Sequence, residues 1–245
     1  MKKYILILLV LFAINNIQAQ EEEVGWTSRF GIAVGFTPAY VFPNLDKINS
    51  QVKKMGIDEL SNSGFAVWGG GGYAYIMMIE NLRIGAIGLS GSTSSSGNIN
   101  NLEKEVIYDF GLGGLTIEYT LPFVQKVALS VGAIAGYGSS TIEIYQSRSN
   151  FSWENIWAKV AKDGVLITSD VSDRITQSYF LISPTINCDI PITRFISFRI
   201  GAGYNLTFGK TWKINNDKDI ANVPSDINSN SFFIQTGIYL GFFAY

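Results

Sequence analysis

Several long segments of the chain alternate between apolar residues and small or polar residues. From Ile196 to Phe208 every even position is apolar, and every odd position is serine, arginine, glycine, asparagine or threonine. Segments 30–37 and 232–242 follow the same pattern. A period of two indicates β-strands, and these are longer than the usual strand of about 5 or 6 residues. Small and polar side chains suit a narrow lumen, while bulky aliphatic side chains suit lipid.

The pattern predicts eight strands, near 26–41, 64–79, 82–92, 105–121, 126–145, 174–190, 194–208 and 231–245. Three connections are short, at 80–81, 122–125 and 191–193, and four are long, at about 42–63, 93–104, 146–173 and 209–230. Alternating short and long connections are typical of membrane barrels, which have short periplasmic turns and longer outer loops. We therefore predict an all-β fold, an eight-stranded antiparallel up-and-down transmembrane β-barrel.

Two of the long loops carry helical patterns. In the first, Leu45, Ile48, Val52 and Met55 recur at helical spacing between Asn44, which can cap the start, and Gly56, which can end the helix. The third long loop contains a similar run over 152–164, with Trp153 and Trp157. These helices either close the barrel mouth or present a surface to a ligand or partner. Because two exposed tryptophans in one loop are costly, Trp153 and Trp157 are our candidates for an interaction surface.

The first twenty residues have the layout of a secretory signal peptide. Lys2 and Lys3 precede an apolar run from 4 to 14, and we expect cleavage after Ala19 or Gln20. The alternative, an N-terminal anchor helix, is disfavoured because spanning a bilayer takes about 20 apolar residues. We therefore divide the chain into a signal peptide at 1–20 and a barrel domain at 21–245, exported to the bacterial outer membrane.

The composition excludes several kinds of catalytic and metal-binding site. The chain contains no histidine, which excludes Ser-His and Cys-His nucleophilic sites and histidine-ligated metal sites. The mature chain would carry a net charge of −4, since residues 1–20 hold two lysines and no acid, and this argues against a nucleic-acid partner. The single cysteine, Cys188, cannot form an internal disulfide. We expect neither a cofactor nor a metal ion, and no catalytic site.

Four charged residues fall on the face predicted to point inward: Arg29, Arg83, Glu118 and Arg199. An eight-stranded barrel has an interior just wide enough for side chains to fill it, and buried charges need partners. We therefore predict a lumen network centred on Glu118. Its expected role is structural, holding the barrel closed, and the alternative is a narrow gate for ions or small solutes.

Other expectations concern local structure. The apolar face of 105–121 changes parity near 111–114, so we expect a β-bulge there, with an insecure register. The serine-rich run 91–97 predicts a flexible loop tip. Aromatic girdles at headgroup depth are expected to include Tyr108, Phe110, Trp212 and Tyr245.

The final strand, 238–245, is amphipathic and ends on an aromatic residue, with Tyr239, Phe243 and Tyr245 two to four residues apart. This resembles the C-terminal recognition signal of bacterial outer-membrane proteins. Together with the leader and the eight alternating segments, the chain resembles the small eight-stranded outer-membrane barrels of the OmpX/Ail type and the OmpA transmembrane domain. The resemblance implies outer-membrane lipid and the barrel-assembly machinery as partners, and these three aromatic residues as the assembly signal.

The resulting hypothesis is a non-enzymatic outer-membrane barrel with a structural role or a surface interaction through its outer loops, whose ligand is unknown. A narrow channel or small-ligand receptor is the second class, and a lipid-modifying enzyme the third, which the absence of histidine disfavours. A soluble, lipocalin-like exported barrel is the architectural alternative, and it requires the bulky face to point inward.

Overall fold

A computed structural model describes residues 30–76, 78–122, 124, 127–148, 170–209, 211–215, 217–224 and 227–244. One helix, α1 (Asp46–Lys54), and eleven strands lie in this part of the chain. The strands are β1 (Phe30–Phe36), β2 (Ala39–Pro43), β3 (Phe65–Tyr75), β4 (Leu82–Ile99), β5 (Leu102–Thr120), β6 (Ala128–Ser147), β7 (Val171–Thr193), β8 (Ile196–Phe208), β9 (Trp212–Ile214), β10 (Lys218–Asp219) and β11 (Ser231–Ala244).

Eight wall strands close into an antiparallel ring. Strands β3 to β8 pair with their neighbours in chain order, β8 pairs with β11, and β11 returns to β1 and β2. The strands β1 and β2 form one wall strand, because both keep the same register against β3 and β11 on either side of Pro38. Proline has no amide hydrogen to donate to a ladder, so the strand is interrupted there. The short strand β9 pairs with residues 175–177 of β7, and β10 pairs with β9.

The connections at the two ends of the ring differ in length. We call the end of the ring where β1 begins and β11 ends the turn end. The connections there are short, and they consist of residues 76–81, 121–127 and 194–195. The other end, the loop end, carries 44–64 with α1, and 209–230 with β9 and β10. The alternation predicted from the sequence is confirmed at these five connections. The predicted long loop at 93–104 is wrong, because β4 and β5 continue through it and are joined by two residues at 100–101. Of the third predicted long loop, residues 149–169 lie outside the described part.

The exterior of the ring is apolar, as the alternation predicted. Ile32, Val34 and Leu115 expose 59, 67 and 69 % of their surface, and the even positions of β8 point outward with them. Outward aromatic side chains gather toward the loop end at Tyr40, Phe42, Tyr137, Phe180, Tyr204, Phe208 and Phe232, and toward the turn end at Tyr119, Phe195 and Phe242. The soluble alternative is wrong, since it required these bulky side chains inside.

The loop-end half of β5 differs from the prediction. Its ladders with β4 and β6 run from 102 to 120 without a register shift, so there is no β-bulge near 111–114. Even positions point inward along the whole strand, and Tyr108 and Phe110 are buried in the lumen rather than in a girdle. Trp212 is buried as well. The same set of positions therefore faces the lumen along the whole strand. What changes is the lumen, whose side chains are apolar near the loop end and polar toward the turn end.

The serine-rich run is also different from the prediction. Residues 91–97 belong to β4 and pair with 104–110 of β5, so they are not a flexible tip. The two strands are joined at Asn100 and Asn101, whose φ angles are +54° and +61°. A two-residue hairpin turn of this kind requires positive φ at both central residues, which asparagine tolerates.

Helix α1 lies at the loop end, and its predicted end is confirmed. Its start differs from the prediction, because the N-cap is Leu45, without a side-chain capping hydrogen bond, and not Asn44. The Asp46 amide donates to Asn44 Oδ1 at 3.1 Å before the helix, and Gly56 follows it with a φ of +82°. Ile48 and Val52 are buried against the apolar half of the lumen, which includes Phe65, Val106 and Leu181. The helix therefore closes part of the barrel mouth. No helix in the described ranges is long and apolar enough to cross a membrane.

Candidate functional site: the lumen and its loop-end mouth

Four charged side chains meet inside the turn-end half of the barrel: Arg83, Glu118, Asp189 and Arg199. Each exposes less than 5 % of its surface. Arg83 lies directly opposite Glu118 in the β4–β5 ladder, and Asp189 lies directly opposite Arg199 in the β7–β8 ladder. The inward parity of these strands carries both pairs into the lumen, where they meet. We call these four residues the charge cluster.

Each guanidinium of the charge cluster contacts both carboxylates. Arg83 Nε lies 2.6 Å from Glu118 Oε2, and Arg83 Nη1 lies 2.6 Å from Asp189 Oδ2. These two contacts are ion pairs whose angles depart from those of hydrogen bonds. Arg199 Nε donates to Asp189 Oδ1 at 2.6 Å, and Arg199 Nη1 donates to Glu118 Oε1 at 3.1 Å. Two formal positive and two formal negative charges therefore balance within the cluster.

Neutral polar side chains bind the remaining atoms of the cluster. Arg83 Nη2 donates to Ser130 Oγ at 2.6 Å, and Asn187 Nδ2 donates to Glu118 Oε1 at 3.1 Å. Gln235 Nε2 in turn donates to Asn187 Oδ1 at 2.7 Å. Strands β4 to β8 and β11 thus all contribute to one network. Buried charges are tolerated when they are paired and hydrogen-bonded in this way.

Aromatic rings pack against the cluster. The Arg83 guanidinium carbon lies 4.7 Å from the centre of the Tyr73 ring. The same atom of Arg199 lies 4.9 Å from the Tyr73 ring and 4.8 Å from the Tyr239 ring. Phe243 and Tyr75 complete this aromatic group. Cation–π contacts of desolvated arginines add to the ion pairs, and the rings fill the lumen on the side of the cluster nearest the turn end.

Little space remains beside the cluster. A cavity of about 10 Å³ lies between Glu118, Arg199, Thr185 and Gln235. A space of this size holds about one water molecule. The charge cluster, its hydrogen-bond partners and the aromatic rings therefore extend across the lumen, from β3 and β4 to β8 and β11.

The structure brings together three of the four charges that the sequence analysis placed in the lumen, Arg83, Glu118 and Arg199. Arg29 lies outside the described residues. The partner that sequence reasoning missed is Asp189, which binds both arginines. The alternation of β7 contained the signal, because Cys188 falls on the outward face and Asp189 must then point inward.

The other predicted site residues are placed as follows. Tyr239 and Phe243 are buried in the lumen, while Tyr245 lies outside the described residues, as do Trp153 and Trp157. Within the described ranges, no group of three or more cysteine, aspartate or glutamate side chains could hold a metal ion.

The loop-end mouth contains a second feature, a cavity of about 310 Å³. It lies between α1, the loop-end parts of β5, β6 and β7, and the segment 212–227. Most of its lining is aliphatic, with Ile48, Val52, Ile142, Ile175, Val223 and Ile227 among its residues. We call this space the mouth cavity.

The outward side chains of the barrel indicate which medium surrounds it. Phe232 and Phe242 mark the two aromatic zones on β11 and are ten residues apart, or about 34 Å along a strand. At the usual strand tilt of about 40° this spans about 26 Å along the barrel axis, close to the apolar band of about 25 Å in membrane barrels. Outward side chains of the described strands carry no charge between these zones. The fold is that of an outer-membrane β-barrel.

The solved structures with a similar fold include outer-membrane proteins. Ail, the attachment invasion locus protein of Yersinia pestis, in complex with the heparin analogue sucrose octasulfate, is 10 % identical, with a TM-score of 0.39 over 87 % of this chain and 97 % of that one. The outer-membrane protease OmpT of Escherichia coli is 10 % identical, with a TM-score of 0.34 over 91 % of this chain and 100 % of that one. No protein-family model and no curated protein matches the sequence. Likenesses this low establish no function for this chain.

Proposed function

We propose that the protein is a non-enzymatic integral outer-membrane protein that does not conduct ions and acts through its loop end. The charge cluster carries this proposal, since the cluster and its hydrogen-bond partners join six of the eight wall strands across the lumen. A side-chain plug of this kind holds the barrel closed and leaves the loop end as the part that contacts other molecules.

The composition and the cluster support a non-enzymatic role. The chain has no histidine to activate a nucleophile. Both buried carboxylates, Glu118 and Asp189, are held between two arginines. A general base must lie within hydrogen-bond reach of the proton that it takes from a substrate, and the space beside these carboxylates holds about one water molecule.

We further propose export by the signal peptide at 1–20 and insertion by the barrel-assembly machinery. Tyr239 and Phe243 of the proposed assembly signal are buried inside the closed barrel. Their rings would therefore be accessible to the machinery before β11 pairs with β1 and become enclosed afterwards. Sequencing the N-terminus of the mature protein tests the leader, with a new end expected after residue 19 or 20.

The loop end is the proposed interaction surface. Outer loops of membrane barrels are the longer ones and face the outside, so α1, the hairpin that ends at Asn100 and Asn101, and segment 209–230 would be exposed to external ligands. Trp153 and Trp157 remain candidates for contacts with a partner.

Two measurements test the proposal. Membranes washed with sodium carbonate should retain the protein, which should then change its gel mobility on boiling in detergent. Purified protein in planar lipid bilayers should produce no stepwise conductance. Release by carbonate would contradict membrane integration. Regular current steps would contradict the closed barrel and favour the narrow-channel alternative.

A further inference from the structure

The loop-end half of the lumen contains an apolar layer, although the interior of a membrane barrel is usually polar. The layer is one cluster of buried side chains, and its members on the wall strands include Val41, Val67, Leu89, Leu112, Ile134, Leu181 and Phe233. Strand β8 contributes Gly203, which lies opposite Phe233 in the β8–β11 ladder. A Cβ atom on Gly203 would lie 2.5 Å from Cζ of Phe233, so the ring packs on the backbone of β8. The apolar layer therefore contacts all eight wall strands.

The connection from β2 to β3, residues 44–64, covers this layer, and we call it the lid. Five of its side chains belong to the same buried cluster: Leu45, Ile48, Val52, Ile57 and Leu60. Leu45, Val52 and Leu60 expose 2 % of their surface each. The opposite side of the lid carries exposed charged residues, Lys53, Lys54 and Glu59. The lid is therefore amphipathic, with its apolar side in the lumen and its charged side toward water.

Side-chain hydrogen bonds fasten the lid to the β4–β5 hairpin. Lys104 Nζ donates to the Met55 carbonyl at 2.8 Å, and Ser95 Oγ donates to the Asp58 carbonyl at 2.5 Å. The lid ends at Gly64, whose φ angle of +88° is one that glycine adopts without strain. These contacts lie outside the backbone ladders of the wall, so the lid can leave the apolar layer while the wall stays paired.

The apolar layer and the charge cluster lie at different depths of the lumen. Along β7, Leu181 belongs to the layer and Asp189 to the cluster, and they are about 26 Å apart along the strand. Polar side chains lie between these depths, where Ser183 donates to Asn205, and Asn205 donates to Ser231. The mouth cavity and the small cavity beside the cluster share no lining residue. The lumen is therefore closed at two separate depths.

We propose that the lid and the apolar layer form a second seal, in series with the charge cluster, and that each seal alone keeps the barrel closed to ions. An apolar constriction excludes ions because it holds no water to hydrate them, whereas the charge cluster extends across the lumen and leaves little space. The inference rests on the proposed function, in which the barrel does not conduct. It adds that the lid can be released without opening a pore.

A single cysteine between the two seals reports on each of them. Ser183→Cys, combined with Cys188→Ala, places a thiol in the lumen at a position that is fully buried. A small cationic methanethiosulfonate, added to the protein in lipid nanodiscs, should leave this thiol unmodified. Ser172→Cys, exposed on the same strand, is the positive control and should react completely. Equal modification at the two positions would show that the seals do not exclude the reagent and would overturn the proposal.

A matched pair of triple variants tests the lid. L45S/V52S/L60S removes three apolar side chains from the buried side of the lid, and K53S/K54S/E59S changes three exposed positions of the same segment. The first variant should speed modification of the S183C thiol at least tenfold, and the second should leave it unchanged. Limited proteolysis within 55–64 shows that the lid is released. A released lid with a thiol that stays protected would overturn the proposal.

The charge cluster is opened by replacing its four residues with serine, which removes two positive and two negative charges. This variant should also speed modification of the S183C thiol at least tenfold, now from the turn end. E118S/R199S, which removes one charge of each sign, is the milder version. An unchanged rate in both variants would show that the cluster is not a seal and would overturn the proposal.

Conductance in planar bilayers tests whether the seals act in series. The lid variant and the cluster variant should each give no current steps, because the other seal remains, and their combination should conduct. Steps in either single-seal variant, or no steps in the combination, would overturn the proposal. The heat-dependent gel shift shows that each variant has inserted. Current steps in the wild type would contradict the proposed function, whereas a closed wild type with a conducting single-seal variant contradicts this inference alone.

Discussion

Asp189 and Arg199 face each other across the β7–β8 ladder and form a bidentate ion pair, with Nε to Oδ1 at 2.6 Å and Nη2 to Oδ2 at 3.0 Å. Arg83 and Glu118 form the equivalent opposed pair on β4 and β5. Each pair also binds the other, so two local pairs that are far apart in sequence are joined through the lumen. Removal of one member therefore affects contacts on both sides of the barrel.

Coupling between Glu118 and Arg199 is the first prediction. Glu118→Gln and Arg199→Met should each destabilise the barrel by about 3–5 kcal/mol, because each leaves a buried charge without its partner. The double variant should lose less than the sum of the single losses by about 1–3 kcal/mol. Denaturant unfolding in lipid, together with the temperature of the gel shift, measures these losses. Additive losses would mean that the two side chains do not interact.

Arg148 provides the control for this cycle. It is exposed near the loop end of β6, so Arg148→Met should change stability by less than about 0.5 kcal/mol, as most surface substitutions do.

Charge balance in the cluster gives the second prediction. Asp189→Asn leaves two arginines and one carboxylate in the lumen and should be strongly destabilising. Adding Arg83→Met restores one positive and one negative charge, so D189N/R83M should be more stable than D189N by about 1–3 kcal/mol. The same unfolding assay applies. D189N/R148M is the matched control, since it removes a distant positive charge, and equal recovery in both doubles would rule out a local effect.

The exterior of the barrel could be predicted from the sequence because all outward positions in the membrane face one apolar medium. Ile32, Ile200 and Leu240 therefore follow a simple period of two, and the ring of eight wall strands follows from it. The turn-end charges could also be placed, since an arginine or glutamate on the inward face of such a strand stands out against small neighbours.

The loop-end half could not be predicted in the same way because its lumen is apolar too. Along the start of β5 the outward face carries charged residues, such as Glu105 and Asp109, and the large apolar residues are on the inward face. This is the reverse of the lipid-facing part, so Tyr108 and Phe110 suggested a parity change that the ladder does not have. The interior there is apolar because α1 covers it, and that contact depends on tertiary structure. Asn100 and Asn101 are residues that favour tight turns, and they indicated the two-residue hairpin turn that joins β4 and β5.

Lipid exposure of the outer face is the third prediction. Ile238 lies midway along β11 and points outward, so Ile238→Lys should destabilise the inserted barrel by about 2–4 kcal/mol. Ile79→Lys makes the same change in a turn-end connection, where the cost should be about 0–1 kcal/mol. The folded fraction in lipid vesicles at increasing denaturant measures both. Similar small losses in the two variants would contradict a lipid-facing wall.

The attachment of α1 to the segment that follows it gives the fourth prediction. Asn49 is buried, accepts from the Leu60 amide at 2.8 Å and donates to the Leu60 carbonyl at 2.9 Å. Asn49→Ala leaves both backbone groups unpaired, at a local cost of about 1–3 kcal/mol. Limited proteolysis should therefore cut 55–64 faster than in the wild type, while the boiling-dependent gel shift of the barrel is retained. Ser50→Ala, one residue along and exposed, should leave the cleavage rate unchanged, and an equal rate in N49A would show that Asn49 does not hold this segment.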